Sequence, residues 1–301
     1  MSDQVLKFLM GDGAVRIEAV SLTDTWRTLN QHRSLPPAVN AMLGELVAAS
    51  TLLAATLKFN GSLVLQIQGD GPVRLAVVEC AAGFGVRAAI KLNADAAISD
   101  QASFRDLVNA QGQGRFVIVL DPKDKLPGQQ AYTGIVPLVG NTLAESLDYY
   151  FASSEQLPTL VHLAANEQCA AGLLVQRMPA EGGKEVTDTD AWDRARHLAA
   201  TIKREELLSL PAQEVVRRLF WEEPLDVKAE QPVRFSCSCS REKVAGVLRM
   251  LGSVEIESIL AEQGKVSVNC EYCDTRYEFD AVDAALAVRG GTDAEPGGAL
   301  H

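Results

Sequence analysis

Basic residues are in short supply: 28 Lys and Arg stand against 39 Asp and Glu in 301 residues, a net charge of −11. Nucleic-acid affinity rests on clustered Lys and Arg, so a long phosphate-binding surface is disfavoured. The start, Met1-Ser2-Asp3-Gln4-Val5-Leu6-Lys7, has no basic segment leading into an apolar run and a small-residue cleavage site, so the mature chain is expected to begin there. Met42 to Leu57, the longest apolar stretch, is broken by Glu45, Ser50 and Thr51 and is expected to fall short of a membrane span. These absences point to a cytoplasmic protein with neither nucleic acid nor membrane as partner. His32, His162, His197 and His301 are scattered, with no Ser or Cys arrangement that would make a triad. Gly11-Asp12-Gly13, Gly69-Asp70-Gly71 and Gly112-Gln113-Gly114 lack the third glycine of a dinucleotide fingerprint and read as turns between strands. No repeat is visible, and no enzyme is expected.

What is present is a globular composition, 47% hydrophobic and 22% charged, long enough for more than one domain. Residues 5–22 read as a hairpin around Gly11-Asp12-Gly13, followed by a short helix that Thr23 or Asp24 would cap. From Ala38 to Leu57 the apolar residues recur at helical spacing on a face broad enough to be buried. Residues 63–68, 73–78 and 84–90 read as a strand meander, 116–120 and 134–138 as further strands, 142–153 as a Thr142-capped helix, and 160–164 and 171–175 as the last strands. Strands with helices at irregular intervals give an α+β class, with a mixed sheet-and-helix domain over 1–178. The composition changes at Pro179-Ala180-Glu181-Gly182-Gly183, opening a helical linker over 179–231. A small four-cysteine domain over 232–289 and a disordered tail over 290–301 complete the division.

Six cysteines in a chain of this kind suggest metal or redox chemistry before structural disulfides. Four lie close together, as Cys237-Ser238-Cys239 and, thirty residues on, Cys270-Glu271-Tyr272-Cys273. Four thiolates close a tetrahedral shell around one zinc and leave no position for an activated water, so the expected site is structural and not hydrolytic. The one-residue gap of the first pair departs from the usual ribbon, yet residues i and i+2 of an extended segment point the same way. Cys80 and Cys169 lie in apolar, strand-like settings and read as small core residues.

The segments Phe235 to Lys243, Cys270 to Cys273, Gly134 to Leu138 and Ser154 to Thr159 carry a resemblance that spans nearly the whole chain. They resemble the redox-regulated 33-kDa heat-shock holdase chaperones. Gly69-Asp70-Gly71-Pro72 is similar to that family's sheet turn, and Leu210-Pro211-Ala212 to Trp221-Glu222-Glu223 to its linker helix. The resemblance implies a zinc-bound, inactive reduced state and an ATP-independent holdase that binds unfolding proteins after peroxide or hypochlorous acid has oxidised the cysteines. It further implies disulfides from Cys237 to Cys239 and from Cys270 to Cys273, a homodimer in the oxidised form, and handover to ATP-dependent foldases.

Residues 232–290 form a unit of about sixty residues, below the size at which an apolar core alone is secure, so metal is expected to supply the difference, on the order of 10–16 kcal/mol. A disulfide within either pair restrains almost nothing, whereas one between Cys239 and Cys270 would restrain the unfolded chain by roughly 3–4 kcal/mol. Oxidation within the pairs would therefore release the unit. The linker's Trp192, Leu198, Leu207, Leu208, Val215, Leu219, Phe220 and Trp221 would rest on a neighbouring surface in the reduced state and bind clients once uncovered. A zinc-ribbon nucleic-acid-binding or regulatory protein is the alternative. Against it, seven Lys and Arg stand beside nine Asp and Glu across 232–290.

Overall fold

The structure is a computed structural model and describes residues 3–57, 60–94, 96–125, 130–179 and 188–289. Most of the expected boundary segment after Pro179, and the expected disordered tail, lie outside these residues. In chain order the elements are β1 Gln4–Met10, β2 Val15–Leu22, α1 Asp24–Asn30, α2 Pro37–Thr56, β3 Gly61–Gln68, β4 Val73–Ala81, β5 Gly85–Leu92 and α3 Phe104–Val108. They continue as β6 Arg115–Pro122, β7 Tyr132–Val136, α4 Leu143–Tyr150 with a π-turn at Phe151–Glu155, β8 Thr159–Ala165 and β9 Ala170–Arg177. Then come α5 Ala191–Ala199, α6 Arg204–Ser209, α7 Ala212–Leu219, β10 Leu225–Pro232 and β11 Arg234–Phe235. The last elements are α8 Arg241–Leu251, α9 Ser253–Gln263, β12 Val266–Asn269, β13 Arg276–Phe279 and α10 Ala281–Arg289.

The first of two compact units runs to Ser236 and holds two sheets, with strand orders β10-β1-β2-β9-β8 and β11-β5-β4-β3-β6-β7. Helix α2 lies between them. Val39, Leu43, Leu46, Val47 and Leu52 are buried there against Val20, Leu22 and Leu174 of one sheet and Leu65, Val78 and Val86 of the other. By length and composition this 20-residue helix does qualify as a membrane span, which corrects the expectation from Met42 to Leu57; here it is a core helix. Its apolar surface runs all round because both sheets need it.

The five-stranded sheet is buried on its second face too. Leu6, Phe8, Met10, Val15, Ile17, Leu173 and Val175 alternate with the residues facing α2, and they pack against Ala191, Ala195, Ala199, Leu207, Ala212, Val215, Val216 and Phe220 from α5, α6 and α7. The unbroken apolar run Ala170 to Val175 is the sequence trace of a strand covered on both sides. Residues 191–219 of the segment expected as a linker thus form a helical layer of the first unit. Arg204 fastens α6 to α2 and β8 through Glu45 at 2.9 Å and the Ala165 carbonyl at 2.8 Å.

Three elements differ from the sequence-based expectation. Residues 225–232, all but the last of which fell in the expected helical linker, form β10 along β1, with little burial to leave a hydrophobic pattern. Residues 233–235, read as opening the cysteine unit, join the first one: Val233 is buried in its core, and Arg234 and Phe235 pair in parallel with Gly85 and Val86 of β5. Helix α1 takes its N-terminal cap from Asp3, whose carboxylate accepts from the Thr23 and Thr25 amides, and not from Thr23 or Asp24.

The C-terminal carbonyls of α2 meet a buried charge cluster. Lys7 Nζ donates to Ala55 O and Arg16 to Thr56 O, both at 3.0 Å, and Glu18 lies beside them at 3.3 Å from Lys7 and 3.7 Å from Arg16. Cations at a helix C-terminus are favourable. Burial nonetheless dominates at Glu18, raising its pKa from 4.5 to about 7. The folded protein therefore holds this proton more tightly than the unfolded chain does. The associated stability is complete below pH 4.5 and is lost as pH rises through 7. Between pH 5 and 8, Glu18→Gln is expected to lose less stability than wild type, by on the order of 1–3 kcal/mol, in thermal unfolding at the two pH values. Parallel pH profiles would show that Glu18 is ionised throughout.

Candidate metal centre

The second unit begins at Cys237. Its described core is six buried side chains, Val244, Leu248, Ile256, Val266, Phe279 and Ala284. Ser240 caps α8 by accepting from the Lys243 amide, so Cys237-Ser238-Cys239 runs as a short arm into a helix start, and Lys243 Nζ holds that arm at the Ser238 carbonyl, 2.6 Å away. Gly252, at φ 85°, turns the chain from α8 into α9. The second pair sits on the turn between β12 and β13. There the Cys270 amide donates to Thr275 O and the Asp274 amide to Cys270 O, with Asp274 left-handed at φ 56°. Arg241 reaches across the unit to the Phe279 ring, the Glu278 carbonyl and the Asp283 carboxylate.

Together these elements bring Cys237, Cys239, Cys270 and Cys273 to one point. All four sulfurs lie within 4.8 Å of one another, each half-buried. Cys237 Sγ is 3.7 Å from Cys270 Sγ, and Cys239 Sγ is 3.4 Å from Cys273 Sγ. A metal–sulfur bond of about 2.3 Å puts the corners of a tetrahedron about 3.8 Å apart, so the set fits one tetrahedrally held ion. Around the sulfurs, the Tyr277 hydroxyl lies 3.1 Å from Cys239 and the Thr275 hydroxyl 3.2 Å from Cys273.

The thiols do not ionise alike. Burial pushes Cys237 up to about 12 and raises Cys270 as well. At Cys273 burial acts in the same direction, but the Thr275 hydroxyl and amide and the neighbouring thiols outweigh it and draw the group down to about 7. Much of the cluster is therefore neutral until a cation displaces its protons, and metal binding weakens as pH falls. Cys80 and Cys169 lie apart in the first unit, buried, with pKa values raised by burial, as core residues.

A family model described as "Hsp33 protein" matches residues 3–280, from β1 to the end of the cysteine unit's β12–β13 hairpin. The chain belongs to the Hsp33 family. Among its Hsp33 relatives, the 33 kDa chaperonin of Methylobacillus flagellatus is 46% identical over 94% of both chains. The 33 kDa chaperonin of Chromobacterium violaceum is 42% identical, over 94% of this chain and 92% of its own. A crystal structure of the 33 kDa chaperonin (heat shock protein 33 homolog) of Thermotoga maritima superposes with a TM-score of 0.79, covering 98% of this chain and all of that one; at 24% identity it supports the fold. Membership in Hsp33 makes this a heat-shock chaperone.

Of the linker side chains singled out in the sequence, Leu207, Val215 and Phe220 are buried against the five-stranded sheet, and Trp192, Leu198, Leu208 and Leu219 are half-buried at that layer. Trp221 differs. It is 75% exposed, because α7 ends at Leu219 and Phe220 takes the inward position, which turns its neighbour to solvent. Ala191, Ala195 and Ala199, which bring α5 close to the sheet, are small residues that leave little hydrophobic signal in the sequence.

Proposed function

We propose that this Hsp33 member is a redox-regulated, ATP-independent holdase of the cytoplasm, kept inactive by one zinc ion on Cys237, Cys239, Cys270 and Cys273. The observation that carries this reading is the joining of two sequence-local thiol pairs at one point, in a unit whose described core is six side chains. Bound there, zinc supplies the tie between segments thirty residues apart that so small a core lacks. Peroxide or hypochlorous acid converts Cys237 with Cys239, and Cys270 with Cys273, into disulfides, and the metal leaves. Neither disulfide spans the unit, so it unfolds.

The layer of α5, α6 and α7 is the second half of the device. Strand β10, held by β1 and otherwise mostly exposed, links these helices to Cys237. Loosening them uncovers Leu207, Val215 and Phe220, with Leu198, Leu208, Leu219 and Trp192 beside them, and bares Leu6, Phe8, Ile17 and Val175 on the sheet. Apolar area on that scale binds unfolding proteins, and Trp221 adds an aromatic already at the surface. The oxidised form acts as a homodimer and passes clients to ATP-dependent foldases; the protein performs no catalysis itself.

Light scattering of a thermally aggregating client tests this, with zinc-loaded reduced protein beside peroxide-treated protein and zinc release read in parallel. Suppression of aggregation by the oxidised form alone, with about one zinc released per chain, is the expected result. Equal suppression by both forms would remove the switch.

A further inference from the structure

Helix α2 ends at Thr56, and beside its end lies a cavity of about 500 Å³ lined from both sheets. Leu63, Ile118 and Leu120 of the six-stranded sheet, Leu53 and Leu57 at the end of α2, and Phe151 give it apolar walls. Two buried polar side chains of the five-stranded sheet, Arg16 and Gln176, complete the lining on that side. Gln176 is saturated: its side-chain oxygen accepts from Arg16, and its nitrogen donates to the Thr159 hydroxyl at 2.8 Å. Arg16, only 9% exposed, is not. Of the five N–H donors of a guanidinium, one goes to Gln176 and one to the Thr56 carbonyl, and Nε has no hydrogen-bond partner among the described residues. Glu18 stands 3.7 Å from that Nε, beyond hydrogen-bond reach, and answers to Lys7 as well. Burial accordingly lowers the Arg16 pKa, and Glu18 offsets this only in part. Buried cations are normally paired and fully hydrogen-bonded; this one keeps donors to spare in the wall of an apolar cavity.

The remaining polar lining is of the opposite kind. Glu155 accepts from the Tyr150 hydroxyl at 2.6 Å and from the Tyr132 hydroxyl at 3.4 Å, so both phenols spend their hydrogens on it and it offers negative charge. A cavity of this volume falls within the range of small-ligand sites, about 300–1,000 Å³, which pair apolar walls with a few polar groups. Each part of the lining selects something in the occupant. The spare donors of a buried cation select an anionic acceptor, Glu155 turns that anion towards Arg16, and the walls select hydrocarbon. We infer that this cavity binds a medium-chain monocarboxylate, its headgroup accepting from Arg16 and its chain lying along Leu53, Leu63, Ile118 and Leu120. Every lining residue belongs to the first unit, so the inference stands or falls independently of the redox switch.

The test is isothermal titration of the reduced, zinc-loaded full chain with octanoate, octan-1-ol and octylamine, each well below its micellar or solubility limit. One octanoate per chain is expected, bound about 10- to 100-fold more tightly than octan-1-ol, the range that a hydrogen bond to a charged group gives, with no binding of octylamine. From hexanoate to octanoate the affinity should rise about fourfold for each methylene. Leu120→Trp, at a half-buried wall position, fills the cavity and is expected to abolish binding. Arg16→Gln removes the cation and should bring octanoate down to the level of octan-1-ol. Should Arg16→Gln fail to fold, the wild-type headgroup preference and Leu120→Trp decide. Equal affinity for octanoate and octan-1-ol, binding of octylamine, undiminished binding in Leu120→Trp, an unchanged octanoate affinity in folded Arg16→Gln, or no saturable binding at all would overturn the assignment.

Discussion

Cys270→Ser is expected to unfold residues 237–289 in reducing, zinc-containing buffer while the first unit keeps its fold. The cysteine unit has about fifty described residues and a core of six buried side chains, and its three helices present Met250, Val254, Val282 and Leu286 to solvent. A four-thiolate zinc site contributes on the order of 10–16 kcal/mol to a domain of this size, more than such a domain's whole stability. A hydroxyl in place of one thiolate leaves three ligands and an open position, and it cuts the tie between β12 and the arm before α8. The first unit has its own cores on both faces of the five-stranded sheet and shares none of these side chains. Circular dichroism should therefore show loss of the helical signal of α8, α9 and α10, with one zinc missing. Hydrogen exchange should show protection retained in α2, β2 and β9. Persisting protection over 241–263 without bound zinc would mean that the apolar core suffices and that the metal is incidental.

Phe220→Ala is expected to give the largest effect in the first unit. Phe220 is 1% exposed at the end of α7 and packs in the cluster that joins the helical layer to the sheet. Truncating a buried phenylalanine costs about 3–5 kcal/mol. The loss falls on short helices of six to nine residues, which depend on that packing for most of their order. Opening of α5 to α7 should therefore rise by two orders of magnitude or more in native-state hydrogen exchange, with α2 unaffected. If uncovering this layer is what creates the client site, reduced, zinc-loaded Phe220→Ala will suppress client aggregation without peroxide. Faster exchange over 191–219 with no gain in reduced activity would place the client site elsewhere. Trp221→Ala, at an exposed position, is the matched control and should leave exchange unchanged.

The sequence made the cysteine cluster legible because its chemistry is local: two close pairs of one soft ligand type, with Ser240 and Gly252 marking the helix between them. Most strands of both sheets, β10 and β11 excepted, were legible from alternation and the glycine turns, and α2 from its periodicity. What stayed hidden was pairing between distant segments. Nothing in Leu225 to Pro232 announces a strand, because its register with Gln4 to Met10 comes from backbone hydrogen bonds while its side chains remain exposed. The docking of 191–219 on the sheet's second face was readable only in part. Its apolar residues called for a partner, but the partner face, Leu6, Phe8 and Met10 with Leu173 and Val175, alternates with residues that face α2, so sequence alone did not separate the two destinations. At the metal centre the pairs were evident, and the hydroxyls of Tyr277 and Thr275 were not, since the pairing of β12 with β13 and the turn between them put them there.

Sulfurs of different pairs lie close together, Cys237 to Cys270 at 3.7 Å and Cys239 to Cys273 at 3.4 Å. Proximity alone would therefore allow disulfides that staple the unit together, and the whole account turns on their not being the ones that form. Mass-spectrometric disulfide mapping of the peroxide-activated protein, after zinc release and with free thiols blocked, measures this directly. Cys237–Cys239 and Cys270–Cys273 linkages are expected to dominate, with residues 237–289 unprotected in hydrogen exchange. Dominant Cys237–Cys270 or Cys239–Cys273 linkages in the active form would contradict it, because a unit so cross-linked is restrained by its disulfides where release was required.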